Sequence, residues 1–127
     1  MTSISTIRAD LVQLLHTADA SAKISFDPMT ADEIGAAYIV SQLEIRHRDR
    51  QLDMAYYRTA AVTLTAVAKT TAALDALVDA LAAVNNENQG SLRNAEISSI
   101  LYKTDVSPDV KIAEVTLEAW ISDYPEA

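Results

Sequence analysis

The residues able to do chemistry are few, and their spacing assembles no familiar catalytic set. His16 and His47 are the only histidines. His16 falls near the carboxyl end of an amphipathic segment, where an imidazolium suits the negative end of a helix dipole. His47 lies on the same parity as Leu43 and Ile45 in an alternating stretch, the place of a partly buried strand residue. With no cysteine in the chain, thiolate nucleophiles, disulfides and zinc–thiolate sites are all excluded. No Ser-centred elbow, HExxH, CxxC or calcium-loop spacing occurs. Gly35 and Gly90 are the only glycines, too few and too far apart to bring backbone amides round a phosphate. Asp75 and Asp79 stand one helical turn apart, a spacing that suits a solvated helix face, since metal sites draw ligands from several elements. Cofactors and resident metals are therefore not expected.

The one chemical anomaly is electrostatic. The whole chain has a formal net charge of −8 and a pI near 4.5, which argues against general nucleic-acid binding. Residues 45–58, IRHRDRQLDMAYYR, run the other way. Arg46, Arg48, Arg50 and Arg58 outnumber Asp49 and Asp53, so this stretch is +2 and the rest −10. Tyr56 and Tyr57 adjoin it. Arginine and tyrosine offer planar, amphipathic contact area of the kind enriched at protein interfaces. Two readings stand, a solvated hairpin tip or an arm that docks on an acidic surface, which includes a second copy of the chain. Trp120 shares the parity of Glu114, Thr116 and Glu118, opposite the apolar face of its strand. It is either covered by the tail Asp123-Tyr124-Pro125 or an anchor across a subunit contact.

These residues need elements to hold them. Ile4, Ile7, Leu11, Leu14, Leu15 and Ala18 recur at helical spacing, with Ser3 or Ser5 as N-cap, so residues 3–18 are predicted as a helix. Residues 24–26 alternate and stop at Asp27-Pro28, a short strand, and 29–35 read as loop. From Ala37 the period becomes two. Ile39, Ser41, Leu43, Ile45 and His47 share one predicted face, and Gln42, Glu44, Arg46 and Arg48 the other. A second alternation places Ala60, Val62, Leu64 and Ala66 together, which makes 37–68 a long hairpin projecting at about 44–58. Alternation also puts Arg46, Arg48, Arg50 and Arg58 on one parity if the turn preserves register.

Thr70 or Thr71 opens a helix buried along Leu74, Leu77, Val78, Leu81 and Val84, and 85–90 end it. Two strands close the chain: 95–102, with Ile97 and Leu101 inward, and 112–121, with Ala113, Val115, Leu117, Ala119 and Ile121 inward. The predicted order is α-β-β-β-α-β-β in one domain over 1–127. Its class is α+β, a mostly antiparallel sheet with two helices packed on one face.

Apolar residues make up 50% of the chain, enough for a buried core in one domain. The longest runs without charge, 34–43 and 59–68, are ten residues each, too short to cross a bilayer as helices. The start MTSISTIRAD also lacks the pattern of a secretory leader. A soluble chain without a membrane partner is expected.

The ordered segments IRADLVQLL, AVTLTAVAK, TTAALDALVDALAAV and IAEVTLEAWI carry a resemblance over residues 3–121. In length and element order the chain resembles the tail terminator, or tail completion, proteins of long-tailed bacteriophages. The resemblance implies a non-enzymatic virion protein, assembled in the host cytoplasm, whose copies form a ring, commonly hexameric. Such a ring caps the tail tube, stops its polymerisation and presents a surface to the head–tail connector, while DNA passes an acidic lumen without specific binding. The family's contacts through hairpin and sheet edges would map to residues 46–58. A neighbouring neck or tail-tube subunit shares these features. From other classes, a small cytoplasmic ligand-binding module and an enzyme built on carboxylates and a histidine remain, the latter without an assembled set of catalytic groups.

Overall fold

The computed structural model describes residues 2–19, 22–26, 36–48, 57–103 and 110–122, with only the backbone of His47, Arg48 and Tyr57. Helix α1, Ile4–Ala18, begins where the Ser3 side chain accepts the Thr6 amide, and it buries Ile7, Leu11, Leu14 and Leu15. Helix α2, Thr71–Ala82, is capped in the same way by Thr70 and buries Leu74, Leu77, Val78 and Leu81. Both stripes follow the three- and four-residue spacing of the sequence.

The strands are β1 (Lys23–Ser25), β2 (Ala37–Arg48), β3 (Tyr57–Ala68), β4 (Asn85–Gln89), β5 (Leu92–Lys103) and β6 (Lys111–Ile121). They form one sheet in the order β1-β2-β3-β6-β5-β4, antiparallel throughout except for the short β1–β2 pair. Cross-strand pairs Val62↔Leu117 and Leu64↔Val115 face the helices in a single buried cluster. The fold is α+β, with both helices on that face and the opposite face left open.

Four departures from the sequence reading have identifiable causes. A bulge between Val40 and Gln42 resets the parity of β2. Tyr38 and Val40 are buried before it, and Leu43 and Ile45 pack on the core after it, so Ile39 does not share their face. A second bulge between Ile97 and Ser99 does the same in β5. It sends Ile100 and Tyr102 to the helix side and Leu101 to the open side, where Leu101 is 57% exposed rather than inward. A one-residue insertion reverses every side chain beyond it.

The remaining departures concern short strands. Residues 85–89, read as a helix end, form the polar edge strand β4. Their sequence, NNENQ, has no alternation to signal a strand, but Gly90 turns the chain so that they pair with β5. Gly90 has φ 56° and packs against the Asp10 carboxylate, which accepts the Ser91 amide at 2.8 Å and the Ser91 hydroxyl at 2.6 Å. A side chain there would meet both a left-handed backbone and a fixed acid. Finally, β1 runs 23–25 rather than 24–26, because its parallel pairing with β2 starts at Lys23↔Ala37, where the Lys23 amide donates to the Ala36 carbonyl at 3.0 Å.

Candidate functional site

The basic and aromatic residues singled out in the sequence divide between the two sides of the sheet. Strand pairing puts Arg46 opposite Thr59, and Thr59 opposite Trp120, which is opposite Arg93. That row lies on the open face. The next row is Glu44, Ala61, Glu118 and Glu96, also on the open face.

Arg46 bridges the two rows. Its Nε and Nη2 donate to the two Glu44 carboxylate oxygens at 3.0 and 3.3 Å, and its Nη1 lies 3.9 Å from Glu118 Oε1. The hydrogen bond from Arg46, reinforced by its charge, holds the Glu44 carboxyl below the usual range, and Glu44 in turn raises the Arg46 guanidinium. All three side chains are nearly half exposed, so this is a solvated network that orients Arg46 and adds little to stability.

Trp120 is 41% exposed and borders a shallow groove of about 210 Å³ with Thr59, Asn94, Glu96 and Glu118. Glu96 and Glu118 stand directly opposite one another, which is unfavourable for like charges. Their juxtaposition, 22 positions apart in sequence, exists only through register, and no local signal announces it.

Arg58 is the correction. The sequence groups it with Arg46, Arg48 and Arg50, yet its register partner is His47 and it faces the helix side. It is 4% exposed, and its Nη2 donates to the Thr2 carbonyl at 2.7 Å. The Thr2 hydroxyl donates in turn to the Ser122 carbonyl at 2.7 Å. Arg58 therefore ties the amino-terminal segment to the sheet rather than presenting charge outside the subunit. The parity argument fails because the strands pair 58 with 47, not with an even-numbered residue. Arg58→Met is expected to lower stability by about 1–3 kcal/mol in urea unfolding, since it removes a charged donor from a part-buried carbonyl. Arg46→Met should leave the midpoint unchanged.

Arg48 and Tyr57 close the described part of the hairpin as register partners. Arg50 and Tyr56 lie outside the described residues, as do the tail at 123–125 and the segment 29–35. His16 sits exposed in the last turn of α1. The exposed Tyr102 phenol is held above its ordinary pKa, first by partial loss of solvent and then by the Asp75 and Asp79 carboxylates of α2. Among the described residues no three histidine or carboxylate side chains converge as a metal site, and no helix is long and apolar enough to cross a membrane. Among the described residues, the open sheet face carries Trp120, 41% exposed, beside the Arg46–Glu44–Glu118 network.

No protein-family model and no curated protein matches the sequence. The fold has a counterpart among solved structures. It is similar to a chain in the virion of a native gene transfer agent (GTA) particle, with a TM-score of 0.59. The match covers 91% of this chain and 90% of that one at 11% identity. At such identity the likeness is one of fold.

Proposed function

We propose that this chain is a structural, non-enzymatic subunit of a phage-like virion, acting as its tail completion protein. Its copies would form a ring, of six by the family resemblance. The ring caps the tail tube, ends its polymerisation and offers a joining surface to the connector. The observation that carries the proposal is the end-to-end likeness to a chain of a virion particle, which agrees with the family resemblance in the sequence. An open sheet face and a cationic hairpin on a −8 chain support self-association, because acidic copies repel unless a region of opposite sign or an apolar contact offsets the repulsion. The acidic remainder suits passage of DNA through the ring without adhesion.

The contact residues of this proposal are Arg46, Arg48, Arg50, Tyr56, Tyr57 and Trp120. Arg58 is left out because the subunit itself buries it.

The test is assembly. Negative-stain imaging of the chain with tail tubes is expected to show one ring at one end of each tube, with tube length fixed. Long tubes built of this chain alone would instead identify a tube subunit. Reversing the hairpin charge with Arg48→Glu and Arg50→Glu should slow association, most strongly at low salt, while the isolated variant unfolds at an unchanged temperature. Assembly at the normal rate at every salt concentration, followed by light scattering, would make the hairpin a solvated tip.

A further inference from the structure

The strands next to each end of the sheet, β2 and β5, are only partly covered by the short edge strands β1 and β4. β1 pairs with β2 only at residues 37–39, so no described strand covers the outer edge of 41–48. At the other side β4 pairs with β5 only between Leu92 and Glu96, so none covers that of 97–103 either. Open edges present rows of backbone donors and acceptors and act as templates for another strand. The β5 edge is also apolar: Ile100, Leu101 and Tyr102 are 38%, 57% and 45% exposed in succession. Three adjacent large apolar side chains on an uncovered strand end are unusual for a surface that stays in water.

We infer that residues 97–103 of one copy add antiparallel to residues 41–48 of the next copy, joining neighbouring sheets edge to edge. This deepens the ring reading above and rests on it. Three features of the chain favour a second copy as the occupant. First, β2 and β5 run in opposite directions, because three successive antiparallel pairings separate them. Two copies placed side by side in the same orientation thus meet antiparallel, with no inversion.

Second, the faces match. Ile100 and Tyr102 lie on the helix side, opposite Val115 and Ala113, and Leu43 and Ile45 lie on that side opposite Val62 and Ala60. Keeping the faces in step over 99–103, beyond the bulge between Ile97 and Ser99, while using the whole of both open edges selects the pairing Ile100↔Ile45 and Tyr102↔Leu43. Third, the same register sets Lys103, which bridges Glu114 at 3.2 Å within its own copy, diagonal to Glu44, which holds Arg46, so the joint would continue an alternation of opposite charges on the open face.

The contact is head-to-tail, since two different edges meet. Such contacts close into rings when the rotation between copies permits. The Ile100 row passes through Leu64 of β3 and the Ile45 row through Ala60. Each joint therefore offsets neighbours by four residues along the strands, about 13 Å at ~3.3 Å per residue. A closed ring has no net rise, so its strands must tilt against the ring axis, as shear tilts the strands of a barrel.

The chain's lack of cysteine makes cross-linking a clean test. Ile45→Cys and Ile100→Cys are made as separate single variants, mixed, and bridged by oxidation or a short dithiol-reactive linker. A covalent dimer is expected in the mixture and should be lost with either variant alone. The double variant should give a ladder ending at the copy number of the ring. Glu44→Cys with Leu101→Cys, opposite one another in this register and both at exposed positions, repeats the test should Ile45→Cys fail to fold. Ile100→Cys linking to itself as readily as to Ile45→Cys would overturn the head-to-tail pairing in favour of a two-fold one. A ring of normal mass with neither cross-link would overturn the pairing alone. A chain monomeric at every concentration would overturn both the pairing and the ring.

Discussion

Tyr38→Ala is expected to lower the stability of the isolated subunit by about 3–5 kcal/mol, the range for emptying a buried aromatic site. Tyr38 is fully buried at the start of β2, and its hydroxyl donates to the Leu77 carbonyl of α2 at 2.9 Å. The side chain therefore fills the core and pins the helix to the sheet. Tyr38→Phe separates the two roles, since it keeps the ring and removes the donor. It should cost about 0.5–1.5 kcal/mol in urea unfolding. Burial, with a smaller contribution from the Asp19 carboxylate, pushes the phenol well above the ordinary tyrosine value of 10.0. Because the folded state holds this proton more tightly, the contribution is complete below pH 10 and is lost as pH rises further. The wild type should lose stability in that alkaline range more steeply than Tyr38→Phe. Equal slopes would show that another group titrates there.

Leu77→Ala and Leu81→Ala should each cost about 2–5 kcal/mol, as large-to-small changes in a packed core do. Both are essentially inaccessible, at 1% and 0% exposure, and they lie on the stripe that faces the central strands. The control is Ala82→Ser, at an exposed position of the same helix, which should shift the transition far less. If Leu77→Ala unfolded at the wild-type midpoint, α2 would not seal the core as the structure has it. Neither change touches the open face or the sheet edges. At temperatures where both variants remain folded, assembly should therefore survive, which separates loss of folding from loss of contact.

Much of the architecture is legible in the sequence by itself. The spacing of Ile7, Leu11, Leu14 and Leu15, and of Leu74, Leu77, Val78 and Leu81, defines two helices with their buried sides. Ser3 or Ser5, and Thr70 or Thr71, are the caps their sequences offer, and the structure uses Ser3 and Thr70. The alternations Ala60–Val62–Leu64–Ala66 and Ala113–Val115–Leu117–Ala119 define two central strands, where a long unbroken period leaves one register that buries the apolar face. The acidic balance, the lack of cysteine and the basic stretch around Arg46–Arg50 are likewise properties of composition alone.

What only the tertiary structure decided lies where periodicity is interrupted or absent. Bulges near Ser41 and Ser98 leave no trace in hydropathy, yet they move Tyr38 into the core and Leu101 out of it. The NNENQ segment becomes a strand because β5 offers a partner, not because its residues prefer one. Arg58 belongs to the inside of the subunit, and Glu96 meets Glu118, because strand register couples residues distant in sequence. The open edges of β2 and β5 are decided in the same way, since a strand is an edge only by virtue of which partners stop short of it. Local sequence sets the period of an element; which side of it is covered depends on neighbours that pairing brings from elsewhere in the chain.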